Sequence, residues 1–118
     1  MDQPPTAKWN QLRSCHPVPA EEMKARIEGI QDRHAALLSR AEDALIALLD
    51  QVKAARATGA SDQALDAALR LQRRAQWRVD FVNAENSMGF HAPQESARIL
   101  AEAIDYARQG QIAAATAR

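Results

Sequence analysis

The sequence is short of cysteine, aromatic residues, long apolar runs and excess charge of either sign, and each shortage excludes a class of protein. A single cysteine in 118 residues rules out an intrachain disulfide framework and a metal site of clustered thiolates. Aromatic residues form only 4% of the chain, which favours closely packed helices over a sheet. No apolar run approaches the roughly 20 residues of a membrane span, so no span is expected. Lysine plus arginine and aspartate plus glutamate number 15 each, so no overall field favours nucleic acid as a partner.

What the sequence does contain is a sustained helical period. Apolar residues recur every three or four positions through a first helix that we predict from Pro19 to Ala57. These residues are Met23, Ile27, Ile30, Leu37, Ala41, Leu45, Leu48 and Val52, and His34 fills the one gap in the series. Gly59 is the expected stop, after which Ser61 and Asp62 are suited to cap a second helix.

Two further helices are predicted. The second continues to Met88, and its buried face is expected to contain Leu65, Leu69, Val79 and Val82, widened by Trp77, Phe81 and Met88. The turn SMGFHAP, residues 87–93, leads to a third helix that begins at Pro93 and is expected to be interrupted at Gly110. The sequence therefore predicts an all-α fold, an antiparallel bundle of three long helices over residues 20–118. An extended, proline-rich arm over residues 1–19 precedes the bundle.

Few residues along this scaffold are candidates for chemistry. No nucleophile–base pair or glycine-rich phosphate loop occurs at a recognisable spacing, so no catalytic residue is assigned. In the arm, LRSCH (residues 12–16) matches the haem-attachment motif Cys-x-x-Cys-His except that Leu12 replaces the first cysteine. From the residues alone, His34 is either a packed polar residue or a ligand, and His91 is either merely exposed or functional.

A longer stretch, RRAQWRVDFVNAENSMGFHAPQESARIL (residues 73–100), resembles the helix–turn–helix near the C-terminus of ammonia-forming cytochrome c nitrite reductases. The matching elements are Ala75-Gln76-Trp77-Arg78, Asp80, the turn Gly89-Phe90-His91-Ala92-Pro93, Glu95, Arg98 and Leu100. The segment EEMKARIEGIQDRH, residues 21–34, is similar to the helix that follows the last haem motif of that family. The similarity spans about residues 12–110, with the same order and spacing of elements.

The resemblance implies roles for three residues. Cys15 and His16 match the covalent cysteine and the proximal histidine of the last haem. His91 matches a distal axial ligand to a haem that the preceding domain binds, so His16 and His91 are iron ligands only where haem is bound. The family's upstream haem motifs, its lysine-ligated catalytic haem and its calcium site have no counterpart in this sequence. We therefore expect no nitrite reduction by this chain alone.

Leu12 removes one of the two thioether bonds, so LRSCH is expected to be the remnant of a haem motif. No cofactor is then expected in this chain, and haem c held through Cys15 is the alternative.

Three functions stay open at this point. The first is a helical subunit-association module that forms a homodimer, as the resemblance implies. The second is a small electron-transfer cytochrome with one singly attached haem c. The third is an accessory part of a nitrite reductase that docks on a separate multihaem chain and supplies His91. The resemblance implies a periplasmic location, whereas no signal peptide is visible, and a cytoplasmic location follows if Met1 is the natural start.

Overall fold

The computed structural model describes residues 17–118, and this part of the chain contains three α-helices and no strand. We label them α1 (Ala20–Ala57), α2 (Asp66–Ala84) and α3 (Pro93–Thr116). The predicted all-α fold is confirmed. Cys15 and His16 lie outside the described residues.

The three helices run up, down and up, so that α3 is parallel to α1 and antiparallel to α2. Near the start of both parallel helices, Ile30 and Pro93 line the same groove. Farther along, the side-chain amide of Gln111 donates to the carbonyl of Ala44 at 2.9 Å. Helix α1 has 38 residues and is about 57 Å long, whereas α2 and α3, with 19 and 24 residues, reach about 29 and 36 Å. The first helix therefore outruns its two partners, as its sequence predicts.

The core is built largely from alanine, which lets the helix backbones approach closely. Its main cluster consists of Ala41, Ala44, Leu45, Ala75, Val79, Val82, Leu100, Ala103 and Ala107. A second cluster near the α1–α2 connection consists of Leu48, Val52, Ala55, Leu65, Ala68 and Ala114. The largest fully buried side chains are Leu48, Leu65 and Leu100. Because alanine buries little apolar area, the leucines and valines of the two clusters supply much of the hydrophobic stabilisation.

The predicted interruption of the third helix at Gly110 is wrong. Helix α3 continues through Gly110 to Thr116, and Gly110 itself is buried. A Cβ atom at this position would lie 2.7 Å from Cδ2 of Leu48. Gly110 therefore allows α1 and α3 to pack closely and does not end the helix. The pattern of residues within a single helix does not reveal this role.

The second helix is shorter at both ends than predicted. The hydroxyl of Ser61 accepts a hydrogen bond from the N–H of Ala64 at 3.1 Å, as a cap does, but it caps a separate turn. The regular helix begins at Asp66, whose N–H bonds to the carbonyl of Gln63 rather than to the residue four positions back. At the other end the backbone becomes extended at Glu85. The chain therefore leaves the helix well before the predicted end.

Two aromatic residues that were expected to widen the buried face of α2 instead point outward. Trp77 is 63% exposed and Phe81 is 53% exposed, and Met88 after the helix is also exposed. Trp77 and Phe81 each lie two positions from buried Val79, which places them about 200° around the helix from it. Their rings stack with centroids 5.3 Å apart. We call these two residues the Trp77–Phe81 pair.

Within residues 17–118, none of the helices combines the length and the apolar character that crossing a membrane requires.

Candidate functional site in the turn between α2 and α3

The connection between α2 and α3 reverses the chain through a tight turn. Met88 and Gly89 both have positive φ angles, 55° and 82°, and the N–H of Phe90 donates to the carbonyl of Ser87 at 3.2 Å. This combination is typical of a type I′ turn. Glycine adopts such a conformation freely, whereas for Met88 it costs about 1–2 kcal/mol. The surrounding contacts must therefore hold the turn in place.

Two contacts fasten the turn to α1. The side-chain amide of Gln31 donates to the carbonyl of Ser87 at 3.2 Å. The half-buried imidazole of His34 packs on Gly89, where a Cβ atom would lie only 2.6 Å from Cγ of the ring. Of the two alternatives for His34, the structure favours a packed polar residue that sets the position of a neighbouring segment. His34 and the turn with His91 lie at the same end of the bundle, as an antiparallel hairpin of the first two helices predicts.

His91 follows the turn directly and faces solvent. Its side chain is 71% exposed. Its backbone N–H donates to the hydroxyl oxygen of Ser87 at 3.0 Å, and its ring nitrogen Nδ1 lies 3.3 Å from Oε1 of Glu85. Polar groups therefore hold both the main chain and the ring of His91. Neither of these two contacts uses the second ring nitrogen, Nε2.

The carboxylate of Glu85 organises these contacts. It accepts one hydrogen bond from the N–H of Ser87 at 3.0 Å and another from the hydroxyl of Ser87 at 2.5 Å. The hydroxyl of Ser87, together with the nearby backbone and His91, lowers the pKa of Glu85 below its ordinary value. Glu85 is therefore ionised at neutral pH and can only accept hydrogen bonds.

Apolar surface adjoins the exposed histidine. Phe90 lies next to His91, with ring centroids 6.3 Å apart, and Phe90 and Met88 are both exposed. On the α1 side of the turn is a shallow groove of about 280 Å³, lined by Ile30, Arg33, His34, Leu37, Pro93 and Ala97. A solvent-facing histidine beside an apolar surface can approach a flat apolar group that carries a metal ion.

The residues of this turn fit a single ligand to a haem iron, the imidazole of His91. An imidazole whose Nδ1 is engaged by a carboxylate and whose Nε2 is free is the usual form of a metal-binding histidine. Within residues 17–118, no cluster of three or more histidine, cysteine, aspartate or glutamate residues is able to hold a metal ion. Cys15 and His16 are outside the described residues, so their predicted haem roles stay predictions.

Sequence reasoning did not single out Glu85 or Ser87. A signal was available in their spacing, because short polar residues in turns commonly bond to backbone groups two to four residues away. Glu85 precedes Ser87 by two positions, and Ser87 precedes His91 by four. The contact between His34 and Gly89, by contrast, joins residues 55 positions apart and has no local signal.

Comparison with known proteins places the chain in a family. The family model described as cytochrome c552 matches residues 3–118. Proteins named cytochrome c-552 from Bacteroides fragilis and Parabacteroides distasonis are 36% and 35% identical to the chain over 99 and 101 residues, which is 84% and 86% of its length. A cytochrome c-552 from Haemophilus influenzae is 30% identical over 92 residues, or 78% of the chain. These alignments cover 20%, 20% and 17% of the relatives, so the chain spans about a fifth of their length. Because the family model extends over almost every residue, this chain belongs to the cytochrome c552 family, that of the ammonia-forming nitrite reductases.

Proposed function

We propose that this chain is a helical association module of a cytochrome c552-type nitrite reductase. It joins two subunits and presents His91 to a haem that another domain or chain carries, and it has no nitrite reductase activity alone. The observation that carries the association function is the Trp77–Phe81 pair on the outer face of α2.

The Trp77–Phe81 pair has the properties of an interface anchor. Tryptophan and phenylalanine bury about 150–250 Å² each when covered, and tryptophan is enriched among residues that dominate binding energy. Two of the five aromatic residues of the chain form this exposed stack, although the core beneath it is made mainly of alanine and leucine. We assign a second copy of this chain as the partner that covers it.

Light scattering on the purified chain tests the association. At tens of micromolar we expect twice the mass of one chain, and a Trp77→Ser/Phe81→Ser double variant should have the mass of one. Ile112→Ser is a matched control, because Ile112 is also exposed but lies alone on α3. This control variant should remain a dimer. A wild-type chain with the mass of one subunit would refute the association function.

The second part of the proposal concerns His91. If haem is bound, it would supply electron-transfer chemistry, and His91 would hold it through a ring nitrogen, from a turn that α1 holds in place. A soluble ferric porphyrin peptide with one vacant axial position is a suitable probe, since a new nitrogen ligand shifts its absorption bands. We expect the wild-type chain to shift the spectrum and His91→Ala to do so much more weakly.

An equal shift with both proteins would contradict the role of His91. A haem absorption band in the protein as purified would instead indicate the cytochrome with a singly attached haem c.

A further inference from the structure

We propose that Glu85 is a positioning residue for His91: its carboxylate orients the ring and, when the imidazole is neutral, keeps the proton on Nδ1. This inference rests on the proposed function, because the form it specifies leaves Nε2 unprotonated and able to bind iron. Its evidence, however, is the geometry of three residues in this chain.

The argument for the proton position starts from the chemistry of the contact. Oε1 of Glu85 lies 3.3 Å from Nδ1 of His91. An ionised carboxylate has no proton to donate, so a hydrogen bond between these atoms requires the proton on Nδ1. A neutral imidazole has only one N–H, and Nε2 must then carry the lone pair. Carboxylates play this part behind many metal-binding histidines, where they fix ring orientation and raise ligand basicity.

The same carboxylate also fixes the main chain of His91. Glu85 accepts from both the N–H and the hydroxyl of Ser87, and the hydroxyl oxygen of Ser87 accepts from the N–H of His91. Glu85 thus reaches His91 by two routes, directly at the ring and through Ser87 at the backbone. A residue that only terminated α2 would need neither contact with His91.

Ser87 offers a control that separates these two routes. Ser87→Ala removes the hydroxyl link to the backbone but leaves the contact between Glu85 and the imidazole. Glu85→Ala removes the contact with the imidazole and the carboxylate that the Ser87 hydroxyl bonds to, but leaves the hydroxyl oxygen of Ser87 that accepts from the N–H of His91. If Glu85 positions the ring, the proton of His91 should move in Glu85→Ala and stay on Nδ1 in Ser87→Ala.

Nitrogen-15 NMR of histidine-labelled protein measures the proton position directly, at a pH where the imidazole is neutral. In the wild-type chain and in Ser87→Ala we expect Nδ1 of His91 to have the protonated signal and Nε2 the unprotonated one. In Glu85→Ala we expect the form with the proton on Nε2, which free imidazole side chains favour in water, to become the majority. The His91→Ala spectrum assigns the signals, and circular dichroism verifies that each variant is folded.

An unchanged proton position in folded Glu85→Ala would overturn the inference, whatever the probe shows. With the ferric porphyrin peptide, we expect Glu85→Ala to bind about tenfold more weakly than wild type, and Ser87→Ala to bind more tightly than Glu85→Ala. If the proton moves as expected but the wild-type chain does not bind the probe through His91, the ligand function fails while the positioning of the ring by Glu85 stands. The two failures are therefore distinguishable.

Discussion

The imidazole of His34 lies directly on the backbone of Gly89, and this contact joins the middle of α1 to the turn that holds His91. It explains why a polar residue occupies the apolar seam of the first helix. The contact also gives a second reason for glycine in the turn, in addition to the positive φ angle. Any Cβ atom at this position would overlap the imidazole ring. The position of the exposed histidine is thus set by a packed histidine on another helix.

Gly89→Ala should destabilise the protein for two reasons, the positive φ angle and the overlap with His34. We expect a loss of about 2–4 kcal/mol in the free energy of unfolding, measured by urea denaturation. Gly59→Ala is the control, because Gly59 also has a positive φ angle, 95°, but has no atom within 4 Å of its Cβ position. This control should lose only about 1–2 kcal/mol. Equal losses would show that the ring of His34 does not constrain the turn.

The fold could be predicted from the sequence because its signals are local. Apolar residues repeat along each helix, Pro93 begins α3, and Gly59 follows the end of α1. The predictions failed where the answer depended on another helix or on the direction of a face. Gly110 looked like a break because its partner Leu48 is 62 positions away, and Trp77 looked buried because apolar character alone does not tell an inner from an outer face.

The same limit applies to the candidate site. His91 could be singled out through a resemblance, but its support could not. The contacts from Glu85 and Ser87 depend on how the turn bends after α2, and the sequence pattern had extended that helix to Met88. A wrong helix end therefore concealed the polar network.

Two glycines within helices should respond in opposite ways to alanine. Gly29 has no neighbouring atom within 4 Å of its Cβ position, so Gly29→Ala should stabilise the protein by about 1 kcal/mol through helix propensity. At Gly110 the same gain is outweighed by overlap with buried Leu48, and we expect a net loss of about 1 kcal/mol. Thermal and urea unfolding of both variants measure the difference.

A double-mutant cycle identifies the cause at Gly110. Leu48→Val shortens the side chain that the new methyl group would meet, so the double variant should be more stable than the sum of the single effects predicts. Strict additivity would mean that Leu48 is not what opposes alanine at position 110.

Acid should weaken the contact between α2 and α3 through Glu102. Its carboxylate accepts from Arg78 at 2.8 Å and from Arg98 at 2.5 Å, and the hydrogen bond from Arg78 is the main cause that lowers its pKa below the ordinary 4.5. Because the folded protein holds this proton less tightly than the unfolded chain, stability is full above about pH 4.5 and falls as the pH drops toward the lower, folded pKa.

We expect Glu102→Gln to reduce the urea midpoint at neutral pH and to flatten its decline in acid. The same pH dependence in wild type and variant would contradict this role for Glu102.

Leu12→Cys should restore haem attachment if LRSCH is the remnant of a haem motif. The substitution recreates Cys-x-x-Cys-His, in which both cysteines form thioethers and His16 is available to iron. Expressed with haem-maturation machinery, the variant should incorporate several times more covalent haem than the parent, measured by haem staining after denaturing electrophoresis. Cys15→Ser in the Leu12→Cys background is the control, because it again leaves one cysteine and should return haem to the parental level. If Leu12→Cys incorporates no more haem than the parent, the remnant interpretation loses its support, and the similarity of LRSCH to a haem motif is coincidental.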